Sequence, residues 1–216
     1  MSIDVLIGVL AMCIAVGVFY VLFALARVGR PTRGPRIDRS ARLNTALIVI
    51  DVQEDFTRNT GKHAYNGQAT ETALSEINKA VFEARSDGTP VAFIKYVFRD
   101  KPVIWAMKMT AGGMGTPGRE GLRLDRALDV GTAPTFEKSI GDSFSNREFE
   151  AWLEENHVGQ LVLMGLDACH CVQLTAKGAL ARGYEVEIRE AGTLTNTLEK
   201  WRDLRSELVG IGVQVA

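Results

Sequence analysis

The stretch Val5 to Ala26, VLIGVLAMCIAVGVFYVLFALA, carries no charged residue, and this constrains the architecture more than any other feature. A helix rises 1.5 Å per residue, so roughly 20 apolar residues cross the hydrocarbon core of a bilayer. Residues 1–26 are therefore expected to form a single transmembrane anchor. A cleaved leader is the rival reading, because Ala24-Leu25-Ala26 has a small-x-small pattern. Against it, no Lys or Arg precedes the run, which also exceeds the roughly 7–15 apolar residues of a leader.

Arg27, Arg30, Arg33, Arg36, Arg39 and Arg42 follow, opposed only by Asp38. Such an excess of Arg marks the cytoplasmic side of a membrane, and each residue near the surface adds about 1 kcal/mol of attraction to anionic headgroups. Pro31, Gly34 and Pro35 disfavour helix, so residues 27–43 read as an extended juxtamembrane linker. The rest, 44–216, is expected to be one folded domain on the cytoplasmic side. The whole chain has a formal charge of -1; with so basic a linker the domain is net acidic, which argues against nucleic acid as a partner. Cys13, Cys169 and Cys171 do not form a secreted disulfide framework, and a reducing compartment is expected.

Within the domain, elements alternate. Thr45 to Val52 (TALIVIDV) is a β-branched apolar run without a helical stripe, as in a strand buried on both faces. Ala69 to Arg85 repeats apolar residues at Leu74, Ile77, Val81 and Phe82, with Gly88 past its end, and reads as helix. Pro90 to Val97 is a second strand, and 101–133, rich in Gly, Met and Pro, reads as a long loop. Ser145-Asn146-Arg147-Glu148 has capping-box spacing before a helix bearing Phe149, Trp152 and Leu153. Gln160 to Met164 is a strand, Cys171 to Arg182 a helix stopped by Gly183, and Glu185 to Arg189 a strand. A helix from near Thr195 carries Leu198, Trp201 and Leu204, and Gly212 to Val215 is the last strand. The fold class is α/β: a three-layer α/β/α arrangement with a mainly parallel sheet, preceded by one transmembrane helix. Ligands of such sheets bind beyond the carboxyl ends of the strands, where Asp51 and Cys171 both fall.

Cys171 opens a helix, where free N–H groups and the helix dipole favour a thiolate. It is the best nucleophile candidate by position. His63, His157 and His170 are poor partners for it, the last because a neighbour in sequence points elsewhere, so the base is expected to be Asp51. By residue type alone, a Cys near a helix start is more often a small core residue than a nucleophile, and an Asp ending a strand more often a cap or turn residue.

Four segments add to this. Asp51-Val52-Gln53-Glu54-Asp55-Phe56, Gly115-Thr116-Pro117-Gly118, Lys138 with Asp142-Ser143-Phe144, and Gly165-Leu166-Asp167-Ala168-Cys169-His170-Cys171-Val172 resemble, in order, the motifs of the isochorismatase-like cysteine hydrolases, which include nicotinamidases and N-carbamoylsarcosine amidase. The resemblance implies a catalytic set of Cys171 as nucleophile, Asp51 as acid and base, and Lys138 as the cation between them. It also implies a cis peptide between Leu166 and Asp167, with the N–H groups of Asp167 and Cys171 forming an oxyanion hole. It selects Cys171 over Cys169, which stands where many relatives carry Asp.

Phe56, Phe98, Trp105 and Phe144 each adjoin a motif or the long loop and are expected to wall a substrate pocket. Nicotinamidases hold a zinc-type ion through an Asp and two His; this chain offers only His63 near the first motif, so neither metal nor other cofactor is expected. The isochorismatases proper lack the nucleophilic Cys. The expected activity is therefore cleavage of a C–N bond in a small amide or ureide, with a homo-oligomeric assembly. The alternatives are a catalytically silent membrane-bound scaffold of the same fold, and a redox protein using Cys169 and Cys171.

Overall fold

The computed structural model describes residues 3–59 and 63–216. Helix α1 (Ile3–Val28) runs past the expected end at Ala26; residues 1 and 2 lie outside the described range. Leu6, Leu10, Ile14 and Phe19 are exposed on it, whereas Ala24 is buried in the core of the following domain. The span Val5–Val28 is long and apolar enough to cross a membrane.

Residues 31–38 have no regular structure, and Asp38 caps a single 3-10 turn at Arg39–Ala41. This linker is laid onto the domain. Thr32 donates to Asp142 Oδ2 through its backbone N–H at 2.6 Å and its hydroxyl at 2.7 Å. Ile37 N–H donates to the Arg182 carbonyl at 2.8 Å, and Arg182 Nη1 donates to the Thr32 carbonyl at 3.2 Å.

The domain is built on strands β1 (Asn44–Ile50), β2 (Val91–Tyr96), β3 (Thr135–Lys138), β4 (Val158–Leu166), β5 (Glu185–Leu194) and β6 (Gln214–Val215). They form one parallel sheet in the order β3-β2-β1-β4-β5-β6. β1 is central and buried over its last residues, which is why it reads as an unbroken apolar run. The short α2 (Glu54–Thr57) follows β1. Helix α3 (Gly67–Ser86) buries Ala73, Leu74, Ile77, Ala80 and Val81 against one sheet face. Its start is fixed by Asn66, whose side chain accepts the Ala69 N–H at 3.0 Å. Each such Leu or Ile withdrawn from water contributes about 1.5–3 kcal/mol. The other face is covered by α5 (Arg147–Glu155), α6 (Gln173–Ala181) and α7 (Leu198–Gly210), through residues such as Phe149, Leu153, Ala176, Ala179, Trp201 and Leu208.

Several expectations are corrected. The stretch 101–133 is not all loop: Lys101–Thr110 is helix α4, started by Pro102 in its first turn, and packed against α1. β3, four residues at the sheet edge, has no counterpart in the sequence reading. Asn146, not Ser145, caps α5, accepting from Glu148 and Phe149 N–H. Phe82 and Leu198 face solvent instead of the core.

Candidate active site

In this strand order the chain runs outward from β1 through β2 to β3 on one side and from β4 through β5 to β6 on the other, so the direction switches between β1 and β4. The crevice at their carboxyl ends is where such sheets bind ligands. Registration brings three segments level there: Ile50 pairs with Ile94 and with Gly165, and Tyr96 pairs with Lys138. The approach at Gly165 is too close for a side chain, since a Cβ there would lie 2.1 Å from the Ile50 carbonyl oxygen.

Asp51, Lys138 and Cys171 meet in this crevice. Asp51 ends β1 in a left-handed conformation, φ 57°, which Asp tolerates better than most residues. Its Oδ2 lies 2.8 Å from Lys138 Nζ, with both side chains essentially excluded from solvent. Lys138, at the end of β3, also donates to the Gly141 carbonyl at 2.7 Å and lies 4.5 Å from the centre of the Tyr96 ring. Cys171 is buried beside the pair and interacts electrostatically with both Asp51 and Lys138. Burial pushes the Asp51 carboxyl above the usual carboxylate range, with Lys138 pulling the other way. Burial opposes the Lys138 charge too, yet Asp51 and Cys171 hold it above the ordinary Lys value. The thiol departs from its expected reactivity. Burial, then the Asp51 charge, pushes it well up, a direction that favours the protonated thiol in the resting site.

The rest of the first motif frames the site. Gln53 accepts the Tyr96 N–H at 2.6 Å and donates to the carbonyls of Tyr96 at 3.2 Å and Leu122 at 3.0 Å. It thereby holds the backbone of the Tyr that stacks on Lys138. Asp55 accepts the Gly115 N–H at 2.9 Å and is paired by Arg119, which fastens the Gly-Thr-Pro-Gly loop. Among the described residues no group of three His, Cys, Asp or Glu stands where it could hold a metal ion.

Cys171 does not open an ordinary helix. Ala168–Val172 is a π-helical turn leading into α6. Asp167 caps it, accepting Cys169 N–H at 2.7 Å, Tyr65 hydroxyl at 3.1 Å and Thr195 hydroxyl at 3.2 Å. The Leu166–Asp167 peptide is cis. Cys169 Sγ lies 3.5 Å from the Thr195 hydroxyl and 3.7 Å from the Thr197 carbonyl, pointing to the β5–α7 connection.

A cavity of about 340 Å³ opens over these groups, lined by Asp51, Asp167 and Cys171 among largely apolar neighbours. Of the four aromatics expected there, Phe56 and Phe98 line it. Trp105 is 68% exposed on α4, because a different face of that helix, bearing Met107, turns to the cavity. Phe144 is buried against Phe149 and Tyr184 with Arg182 over its ring at 4.6 Å. It supports the seat of the linker. His170 does line the cavity, contrary to expectation, since the π turn changes which neighbours of Cys171 face inward. Tyr65, Tyr96 and Phe98 complete the aromatic wall, and Val28 and Gly29 at the end of α1 close another side. Tyr65, Tyr96, Val28 and Gly29 were not singled out from sequence, and of these Tyr96, at the end of a buried strand, offered a signal.

A family model described as Isochorismatase domain matches residues 45–215. The uncharacterized isochorismatase family protein YddQ of Bacillus subtilis is 27% identical over 161 residues, 73% of this chain and 81% of that protein. N-carbamoylsarcosine amidase of Arthrobacter is 23% identical over 147 residues, 64% of this chain and 55% of that protein. Among solved structures, nicotinamidase/pyrazinamidase of Bacillus subtilis matches with a TM-score of 0.69 at 23% identity, over 81% of this chain and 100% of that one.

Proposed function

Given that the chain belongs to the isochorismatase family, we propose that it is a membrane-anchored cysteine hydrolase that cleaves a C–N bond of a small amide or ureide. The reading is carried by one observation: the buried side chains of Asp51, just after β1, Lys138, at the end of β3, and Cys171, in the turn after β4, interact with one another beside an apolar cavity that Asp51 and Cys171 line.

Cys171 Sγ attacks the carbonyl carbon as its proton passes to Asp51. The negative charge gathering on the carbonyl oxygen is received by the backbone N–H groups of Asp167 and Cys171. The C–N bond breaks, and the leaving nitrogen takes the proton from Asp51. Water then attacks the thioester carbonyl and gives a proton to Asp51; the C–S bond breaks and the thiol is restored, so an amide and water yield an acid and ammonia or an amine. Lys138 keeps Asp51 ionised at rest and steadies sulfur as it loses its proton. α1 holds this domain at the membrane with the Arg-rich linker on the cytoplasmic side.

The test is ammonia release by the full chain in detergent or vesicles from a panel of amides and ureides. Turnover by the native chain that is lost in Cys171→Ala supports the reading. No release from any member by a protein whose Cys171 is intact overturns it.

A further inference from the structure

Val28 and Gly29, the last residue of the membrane helix and the one after it, line the same cavity as Cys171 and Asp51. A wall of the site is thus the point where the chain leaves α1. The neighbouring wall comes from α4, which packs on α1, turns Met107 to the cavity and leaves Trp105 and Met109 about two-thirds exposed, at 68% and 70%. Lys101 and Lys108 lie on the same helix. A short helix with Trp and Met exposed, Lys beside them and a membrane span at its side has the character of an interfacial helix. The cavity between the two is lined by Phe56, Phe98, Met107, Leu166 and Leu174, and beyond Asp51, Asp167, Cys171, His170 and the two Tyr hydroxyls it offers a ligand little but hydrocarbon contact.

We propose that the substrate is a membrane-resident amphiphile, an amide or ureide head on a hydrocarbon chain, which enters from the bilayer between α1 and α4 and lays its chain along Val28, Met107 and Leu174. This rests on the hydrolase and anchor reading given above and adds the substrate class. α4 would lie at the lipid–water boundary with Trp105 and Met109 in lipid.

The experiment uses the full chain in phosphatidylcholine vesicles and N-alkyl iodoacetamides from methyl to dodecyl, reading alkylation of Cys171 by peptide mass. The thiolate displaces iodide, so the measurement does not require amidase turnover. The rate is expected to climb roughly tenfold or more with chain length, as added methylenes are buried, and to become flat in Met107→Arg, whose folding is checked by circular dichroism. In parallel, brominated lipid should quench the fluorescence lost on Trp105→Phe. A rate that does not climb, a climb that persists in Met107→Arg, or a Trp105 signal insensitive to brominated lipid, as when a second copy covers α4, overturns the proposal. Ammonia release from acetamide and dodecanamide separates the two readings. A chain-length climb without release from either leaves the amphiphile site standing and sinks the hydrolase. Equal release from both with flat alkylation keeps the hydrolase and sinks the amphiphile.

Discussion

The carbonyl of Val28, the last residue of α1, accepts the Gly141 N–H at 2.9 Å, and the Gly141 carbonyl accepts the Lys138 ammonium at 2.7 Å. One residue therefore joins the end of α1 to the Lys138 ammonium. It has to be glycine: a Cβ would lie 2.4 Å from Leu174 Cδ1 and 2.9 Å from the Val28 carbonyl oxygen.

Gly141→Ala is expected to destabilise the protein by about 1–3 kcal/mol through overpacking and to lower kcat/KM, since Lys138 loses its fixed acceptor. Thermal melts of the solubilised full chain alongside kinetics check this. Native stability with native kinetics would show that α1 and the site are independent.

Asp51→Asn should affect turnover and thiol reactivity in opposite directions. Loss of the proton acceptor should lower kcat by roughly 10²–10⁴-fold. The charge that holds the Cys171 thiol up is also gone, so iodoacetamide should label Cys171 faster at neutral pH than in the native protein. Lys138→Ala should slow both, and by leaving a buried carboxylate unpaired should cost about 3–5 kcal/mol of stability.

The pH profile follows from the carboxyl. In the proposed mechanism Asp51 works ionised, and burial raises its pKa, so activity is expected to be lost as pH falls through a value above the ordinary Asp pKa of about 3.9. Lys138 is shifted upward and keeps its proton throughout the mildly alkaline range. A kcat/KM profile with its acid limb at or below the ordinary carboxylate value would assign the base elsewhere.

Cys169→Ser keeps a group able to meet Thr195 and Thr197, and kcat should stay within about threefold of native, a difference below 1 kcal/mol, while Cys171→Ser should abolish turnover. Activity lost in the first and kept in the second would revive the redox alternative.

Phe144→Ala should cost about 3–5 kcal/mol of stability and leave KM unchanged below the melting range, because the ring packs beneath the linker and does not line the cavity. A raised KM with an unchanged melting temperature would return Phe144 to the pocket.

What could be read in advance divides along physical lines. β1, α3 and β4 are long, strongly patterned segments whose burial is set by their own periodicity, and Asp51 and Cys171 were found because each ends or follows such a segment. β3 is four residues of mixed burial that acquires strand geometry from pairing with β2, so nothing local announced it. α4 carried a signal that was passed over: Asp100 before Pro102, then Val103, Ile104 and Met107 at helical spacing. The places of Phe144, Trp105 and Val28 depend on partners far along the chain. Asp142 meets Thr32 across 110 residues, and a single sequence does not display such a pairing.

The wall formed by Val28 and Gly29 changes where the working unit begins. A fragment cut at Asn44, where the sheet starts, would keep every strand and all of Asp51, Lys138 and Cys171, yet open the cavity beside Leu174 and Met107 to water and leave the Gly141 N–H without its acceptor. Boundaries drawn from the sheet and from the cavity do not coincide in this chain: the sheet starts at Asn44, whereas the cavity wall reaches back across the linker to the end of α1.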